Sequence, residues 1–83
     1  MKISSIIIAT NEEANIAKCI ESLRECVDEI IVLVDAESTD TTIEIVKSYP
    51  NVKHEVVKWM GYAKTKQYGV SLCSNNWILW IDS

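Results

Sequence analysis

Eighty-three residues allow a single small domain, and a hydrophobic fraction of 48% with two glycines and one proline excludes a disordered or low-complexity chain. No apolar run exceeds five residues, far short of the roughly 20 that a membrane-crossing helix needs. The net charge of −4 is uneven: residues 1–50 carry ten acidic and four basic side chains, and residues 51–83 carry two acidic and four basic.

The opening "MKISSIIIAT" has too short an apolar stretch for a signal peptide and reads as a first strand. The expected location is the cytoplasm, with contact at the inner face of the membrane left open. The next stretch, "TNEEANIAKCIESLREC", places Ile16, Ile20, Leu23 and Val27 at spacings of four, three and four, which makes one apolar stripe on a helix. Thr10 and Glu13 stand at capping-box spacing ahead of it. "EIIVLV" is almost wholly apolar, as expected of a central parallel strand covered on both faces. A second helix is expected from Asp40 or Thr41, turning Ile43 and Val46 inward and ending before Pro50. "VKHEVV" is more mixed and suits an edge strand. A third helix is expected from about Tyr62 to Ser74, with a loose apolar pattern around Ala63, Val70 and Cys73, and "WILWI" is the fourth strand.

The order β-α-β-α-β-α-β implies right-handed crossovers, a parallel sheet of about four strands, and helices on both faces. Such Rossmann-like sheets bind ligands outside the carboxyl ends of their strands. In the spatial order 3-2-1-4, three polar strand ends become neighbours: Ala9 to Glu12, Asp35 to Ser38, and Asp82 to Ser83. Asp35 and Asp82 would then flank a crevice over the first strand. Taken singly, Asp35 reads equally well as a turn opener, with Ser38 or Asp40 capping the next helix, and Asp82 as a polar terminus. Two acids that meet in one crevice favour a ligand site. G-x-G-x-x-G, the P-loop and a nucleophile–histidine pair are all absent from the sequence. The three cysteines lack C-x-x-C spacing and the lone histidine is His54, so they read as reduced, packed thiols. Lys53, Lys58, Lys64 and Lys66 form a positive patch too small for nucleic acid, which is not expected as a partner. The patch suits a compact anion such as a diphosphate, or is simply solvated.

Three blocks, "IIIATNEEANIAKCIESL", "VDEIIVLVDAESTDTTIEIVKSY" and "GYAKTKQYGVSLCSNNWILWIDS", resemble in order and spacing the nucleotide-binding half of family 2 glycosyltransferases with the GT-A fold. The closest likeness is to the branch that builds lipopolysaccharide core. The resemblance implies one nucleotide-sugar-binding domain over residues 1–83 and a nucleotide-diphospho-sugar donor, with UDP-sugar favoured. It also implies inverting hexosyl transfer to a cell-envelope glycan. The family's T-x-N-E turn would place Thr10, Asn11 and Glu12 beside the nucleotide. Its D-x-x-S-x-D segment would place Asp35, with Glu37, at the nucleoside, and its D-x-D would offer Asp82 to the donor and to Mg²⁺ or Mn²⁺. Lys66 stands where relatives often carry a basic residue.

Departures bear on this. Glu37 replaces a usual glycine, which puts a positive φ or a close ligand approach in question there. The second aspartate of D-x-D and the acceptor base fall outside the 83 residues. The chain therefore reads as a truncated domain that lacks turnover alone and binds metal weakly, with donor assistance. A standalone nucleotide-binding or interaction module is the alternative. A response-regulator-like domain shares the layout but wants an acidic pair after the first strand and a lysine after a fifth strand that this chain lacks. The uncovered strand-four side, with Trp77, Leu79 and Trp80, is the expected route to a homodimer.

Overall fold

The computed structural model describes residues 2–58, 61–75 and 77–82 and, within these, all side chains but those of Tyr62 and Asp82. Strands β1 (Ile3–Ala9), β2 (Glu29–Asp35), β3 (Val52–Val57) and β4 (Trp77–Asp82) alternate with helices α1 (Ile16–Leu23), α2 (Thr42–Lys47) and α3 (Tyr62–Leu72). The strands form one sheet in the order β3-β2-β1-β4, and every neighbouring pair is parallel. This is the expected α/β layout, and β3 is the edge that its mixed pattern suggests.

Period-two alternation divides the core between the two faces of the sheet. Ile7, Ala9, Ile30, Val32 and Val34 pack with Ile16, Ile20 and Leu23 of α1 and Val46 of α2. On the other face Ile6, Ile31 and Leu33 meet Tyr68 and Leu72 of α3, together with Ile78 and Trp80 of β4. β1 and β2 need apolar residues at successive positions because both of their faces are covered.

The helices follow the sequence less closely than the strands. α1 starts at Ile16, and its N-cap residue Asn15 makes no side-chain capping bond. No capping box forms: Thr10 turns to the last residue of β2 and Glu13 to the segment after it, as detailed below. α2 begins at Thr42 and buries Val46, close to expectation. Of the apolar positions expected around α3, Ala63 and Val70 are exposed, while Cys73, just past its end, is half-buried and packs against the core of Ile6, Ile31 and Leu33. The buried positions are Thr65 and Gly69, with Tyr68 and Leu72 half-buried. A glycine is what admits α3 so close to the sheet. A Cβ on Gly69 would stand 3.1 Å from both Ile6 Cδ1 and Ile6 Cγ2, and 3.3 Å from Leu33 Cδ1.

At the amino edge of the sheet, Glu29 ties four segments together. Its carboxylate accepts hydrogen bonds from Ser4 Oγ (2.8 Å), Ser74 N (2.8 Å), Ser74 Oγ (3.1 Å) and Lys53 Nζ (2.6 Å). Burial opposes the charged form. The Lys53 and Ser74 bonds, with that of Ser4, outweigh it and bring the pKa down to about 2 from 4.5.

Two outcomes are expected. Because the folded pKa of Glu29 lies below its unfolded value, its stabilisation is complete above pH 4.5 and is lost as pH falls toward 2. Glu29→Gln should therefore cost about 2 kcal/mol at pH 7 and flatten the acid limb of stability, read from urea midpoints between pH 5 and 2. Parallel acid limbs in the two proteins would contradict the assignment. Gly69→Val should destabilise by roughly 2 kcal/mol by overpacking Ile6, and an unchanged thermal midpoint would show that α3 is free to retreat.

Candidate functional site

All four strands run the same way, so their carboxyl ends open on one edge of the sheet. The register sets the heights there. Ala9 pairs with Val34, which puts Thr10 level with Asp35. Ile8 pairs with Asp82 on the other side of β1. Asp35 and Asp82 thus flank β1, two strand spacings apart and offset by two residues, or roughly 12 Å between Cα atoms.

The loops after β1 and β2 are laced together. Thr10 Oγ1 donates to Asp35 Oδ2 at 3.2 Å. Asn11 N donates to Ser38 Oγ at 2.9 Å, and Asn11 Oδ1 accepts from Thr39 N at 2.8 Å. Glu12 N donates to Thr42 Oγ1 at 2.9 Å. Glu13 N donates to Asp40 Oδ2 at 3.1 Å, while Glu13 Oε2 accepts from Thr41 N at 3.2 Å and Thr41 Oγ1 at 2.6 Å. The Thr42 hydroxyl in turn donates to Asp40 Oδ1. That bond, the largest influence on Asp40, helps hold its carboxyl below the usual carboxylate range.

Asp35 opens a turn and also faces the crevice edge, so its two sequence readings are compatible. Its Oδ1 accepts from Glu37 N at 2.9 Å, and its carbonyl accepts from Ser38 N at 2.9 Å. Glu37 needs no left-handed backbone: among the described non-glycine residues only Asn11 has a positive φ, of 50°. Asparagine tolerates that region better than most residues. The Glu37 side chain is exposed at the rim. Burial and then the Glu12 charge push the Cys19 thiol up, and the Glu12 carbonyl accepts the Asn15 and Ile16 amides at the start of α1.

Lys66 lies on α3, on the opposite face of the sheet, with its ammonium 5.3 Å from the centroid of the Trp80 ring. The structure therefore brings Thr10, Asn11, Glu12, Asp35 and Glu37 into one cluster, with Lys66 separate on the α3 side. Asp82 is placed by its backbone register, and Ser83 lies outside the described residues. Sequence reasoning missed the lacing partners Thr39, Thr41 and Thr42. The run "STDTT" was the signal, since short hydroxyl and carboxylate side chains serve neighbouring backbone groups well.

The described side chains do not amount to a metal site. No three histidine, cysteine or acidic side chains converge among them. The side chain of Asp82, the expected ligand, lies outside those described. No step below is routed through a metal. A cavity of about 570 Å³ lies at the far, amino edge, lined by Arg24, Asp28, Tyr49 and Asn51 among others. It sits beside the carboxyl ends of α1 and α2, which disfavour an anion, and away from the strand ends where parallel sheets bind ligands.

The profile of glycosyl transferase family 2 matches residues 4–83. An uncharacterized glycosyltransferase of Rickettsia typhi is 48% identical over 99% of this chain, which covers 27% of that relative. The lipopolysaccharide core biosynthesis glycosyltransferase LpsC of Rhizobium meliloti is 41% identical over the whole chain, which covers 32% of it. The glycosyltransferase SunS of Bacillus subtilis is 38% identical over 93% of the chain, covering 18% of that relative. The chain thus spans about a third or less of the length of these relatives.

Thr42→Val should cost about 1–3 kcal/mol, because it leaves the Glu12 amide without its acceptor at a fully buried position. Denaturant unfolding should report the loss, together with faster exchange of the Glu12 amide. Unaltered exchange would mean that this bond contributes nothing in solution.

Proposed function

The chain belongs to glycosyl transferase family 2, and from that premise we propose that its carboxyl sheet edge binds the nucleotide part of a nucleotide-sugar donor. The observation that carries this reading is the Asp35 carboxylate, held at the strand ends by Thr10 Oγ1 and Glu37 N. Each of its oxygens keeps acceptor capacity after one bond, which suits the imide N–H of uracil or a ribose hydroxyl. A UDP-sugar is the favoured donor. The roughly 12 Å from Asp35 to Asp82 is on the scale of an extended nucleoside diphosphate, so the diphosphate would run across the end of β1. There it meets the backbone of Thr10 to Glu12 and then Asp82. Lys66, beside Trp80, supports the phosphate end from the α3 side.

This chain's own residues bind and orient in this scheme. They fix the nucleoside so that the sugar projects past β4, and proximity of this kind is a large part of what a transferase supplies. An acceptor hydroxyl must also lose a proton to a positioned base, and none of the residues assigned here has that role. Inverting hexosyl transfer to a cell-envelope glycan, at the inner face of the membrane, is proposed for the whole protein. The LpsC relative, whose name places it in lipopolysaccharide core biosynthesis, supports that choice of acceptor. No helix among the described residues is long and apolar enough to cross a membrane. The proposal extends to a homodimer through β4, which the exposure of Trp77 and Leu79, at 61% and 42%, supports, while Trp80 is half-buried.

UDP added to the labelled chain should shift amide resonances at 10–12, 35–38 and 82, and Asp35→Ala should weaken that binding about tenfold or more. Shifts confined to the Arg24–Tyr49 cavity would move the site to the other end of the sheet.

A further inference from the structure

Asn11 has two features that a residue touching a ligand does not need. Its φ of 50° is the only positive value among the described non-glycine residues. Its polar groups point sideways into the neighbouring loop: the backbone N–H goes to Ser38 Oγ, and Oδ1 accepts Thr39 N at 2.8 Å and lies 3.5 Å from the Thr39 hydroxyl. The partner segment is the turn that Asp35 opens through its carbonyl to Ser38 N and its Oδ1 to Glu37 N. A left-handed residue directly after Thr10 swings the chain toward β2, and the amide oxygen then grips the far side of that turn. Thr10 and Ser38–Thr39 are thereby held on either side of the Asp35 carboxylate.

We infer that Asn11 is a positioning residue: through Oδ1 it locks the 35–39 turn and so sets the Asp35 carboxylate for the nucleoside, without its own side chain touching the donor. This rests on the nucleotide-binding reading above. The chemistry separates it from a direct contact. A contact role would use the Nδ2 donor, since Oδ1 is taken by Thr39; a positioning role uses Oδ1 and tolerates loss of the N–H₂ group. Asn11→Asp retains an acceptor at Oδ1 and a side chain that accepts positive φ. Asn11→Gly retains the backbone freedom and removes the acceptor.

The experiment compares the native chain, Asn11→Asp and Asn11→Gly by amide hydrogen exchange without ligand and by NMR titration with uridine. Uridine carries no phosphate charge to repel the new carboxylate. Asn11→Gly should speed exchange of the Thr39 and Glu37 amides by up to about tenfold, the upper range for one lost hydrogen bond, and weaken uridine binding by a similar factor. Asn11→Asp should stay within about twofold of native in both. Equal exchange in all three proteins would overturn the inference whether or not uridine binds. Loss of uridine binding in Asn11→Asp equal to that in Asn11→Gly, with Thr39 still protected, would overturn it in favour of a direct contact. If native chain fails to respond to uridine and to UDP, the nucleotide reading falls; the exchange comparison then decides separately whether Asn11 locks the turn.

Discussion

A strand paired on both edges and buried on both faces leaves no freedom in where its end points, and β1 is in that position. It pairs with β2 on one side and β4 on the other, and Ile6, Ile7 and Ala9 are fully buried. Moving its end by one residue would reverse which side chains meet α1 and which meet α3. The heights of Thr10, Asp35 and Asp82 at the carboxyl edge follow from that register. The loops can therefore be short and polar and still be precise, because they begin from fixed points.

What the loops add is mutual support. Residues 10–13 and 35–42 carry acidic side chains that would repel one another if left free. Instead Glu13, Asp35 and Asp40 each accept hydrogen bonds from neighbouring hydroxyl or backbone N–H groups. Donors so arranged stabilise carboxylates where a bare cluster would not. The same logic operates at the opposite edge, where Glu29 gathers Ser4, Lys53 and Ser74. The Glu29–Lys53 bond is the shortest of the four at 2.6 Å, but its lysine is 57% exposed, so solvent screening reduces its worth and the bonds to Ser4 and Ser74 share the load.

The strands were legible in the sequence because burial imposes period-two or continuous apolar patterns on them, and "EIIVLV" and "WILWI" carry those patterns openly. The placement of Asp35 beside Thr10 followed from strand order and is what the register shows. α3 was harder to read. Its contact with the sheet is made through Gly69, Thr65 and the half-buried Tyr68 and Leu72, residue types whose polarity or small size hides the stripe. The start of α1 was misplaced because Thr10 and Glu13 have the spacing of a local cap yet find partners some 25 to 28 residues away. Local pattern cannot register a competitor that only the folded sheet brings near. The Asn11 backbone was hidden for the same reason, since the partners of its left-handed turn, Ser38 and Thr39, lie 27 and 28 residues away.

A structure of the chain with UDP bound tests the central claim most directly. The account places the uracil or ribose against the Asp35 carboxylate and the diphosphate across the end of β1 toward Asp82, with the 10–13 and 35–42 lacing unchanged. A nucleotide seated in the cavity by Arg24 and Tyr49, or one that binds at the carboxyl edge only after the Asn11–Thr39 and Glu12–Thr42 bonds have broken, would contradict it.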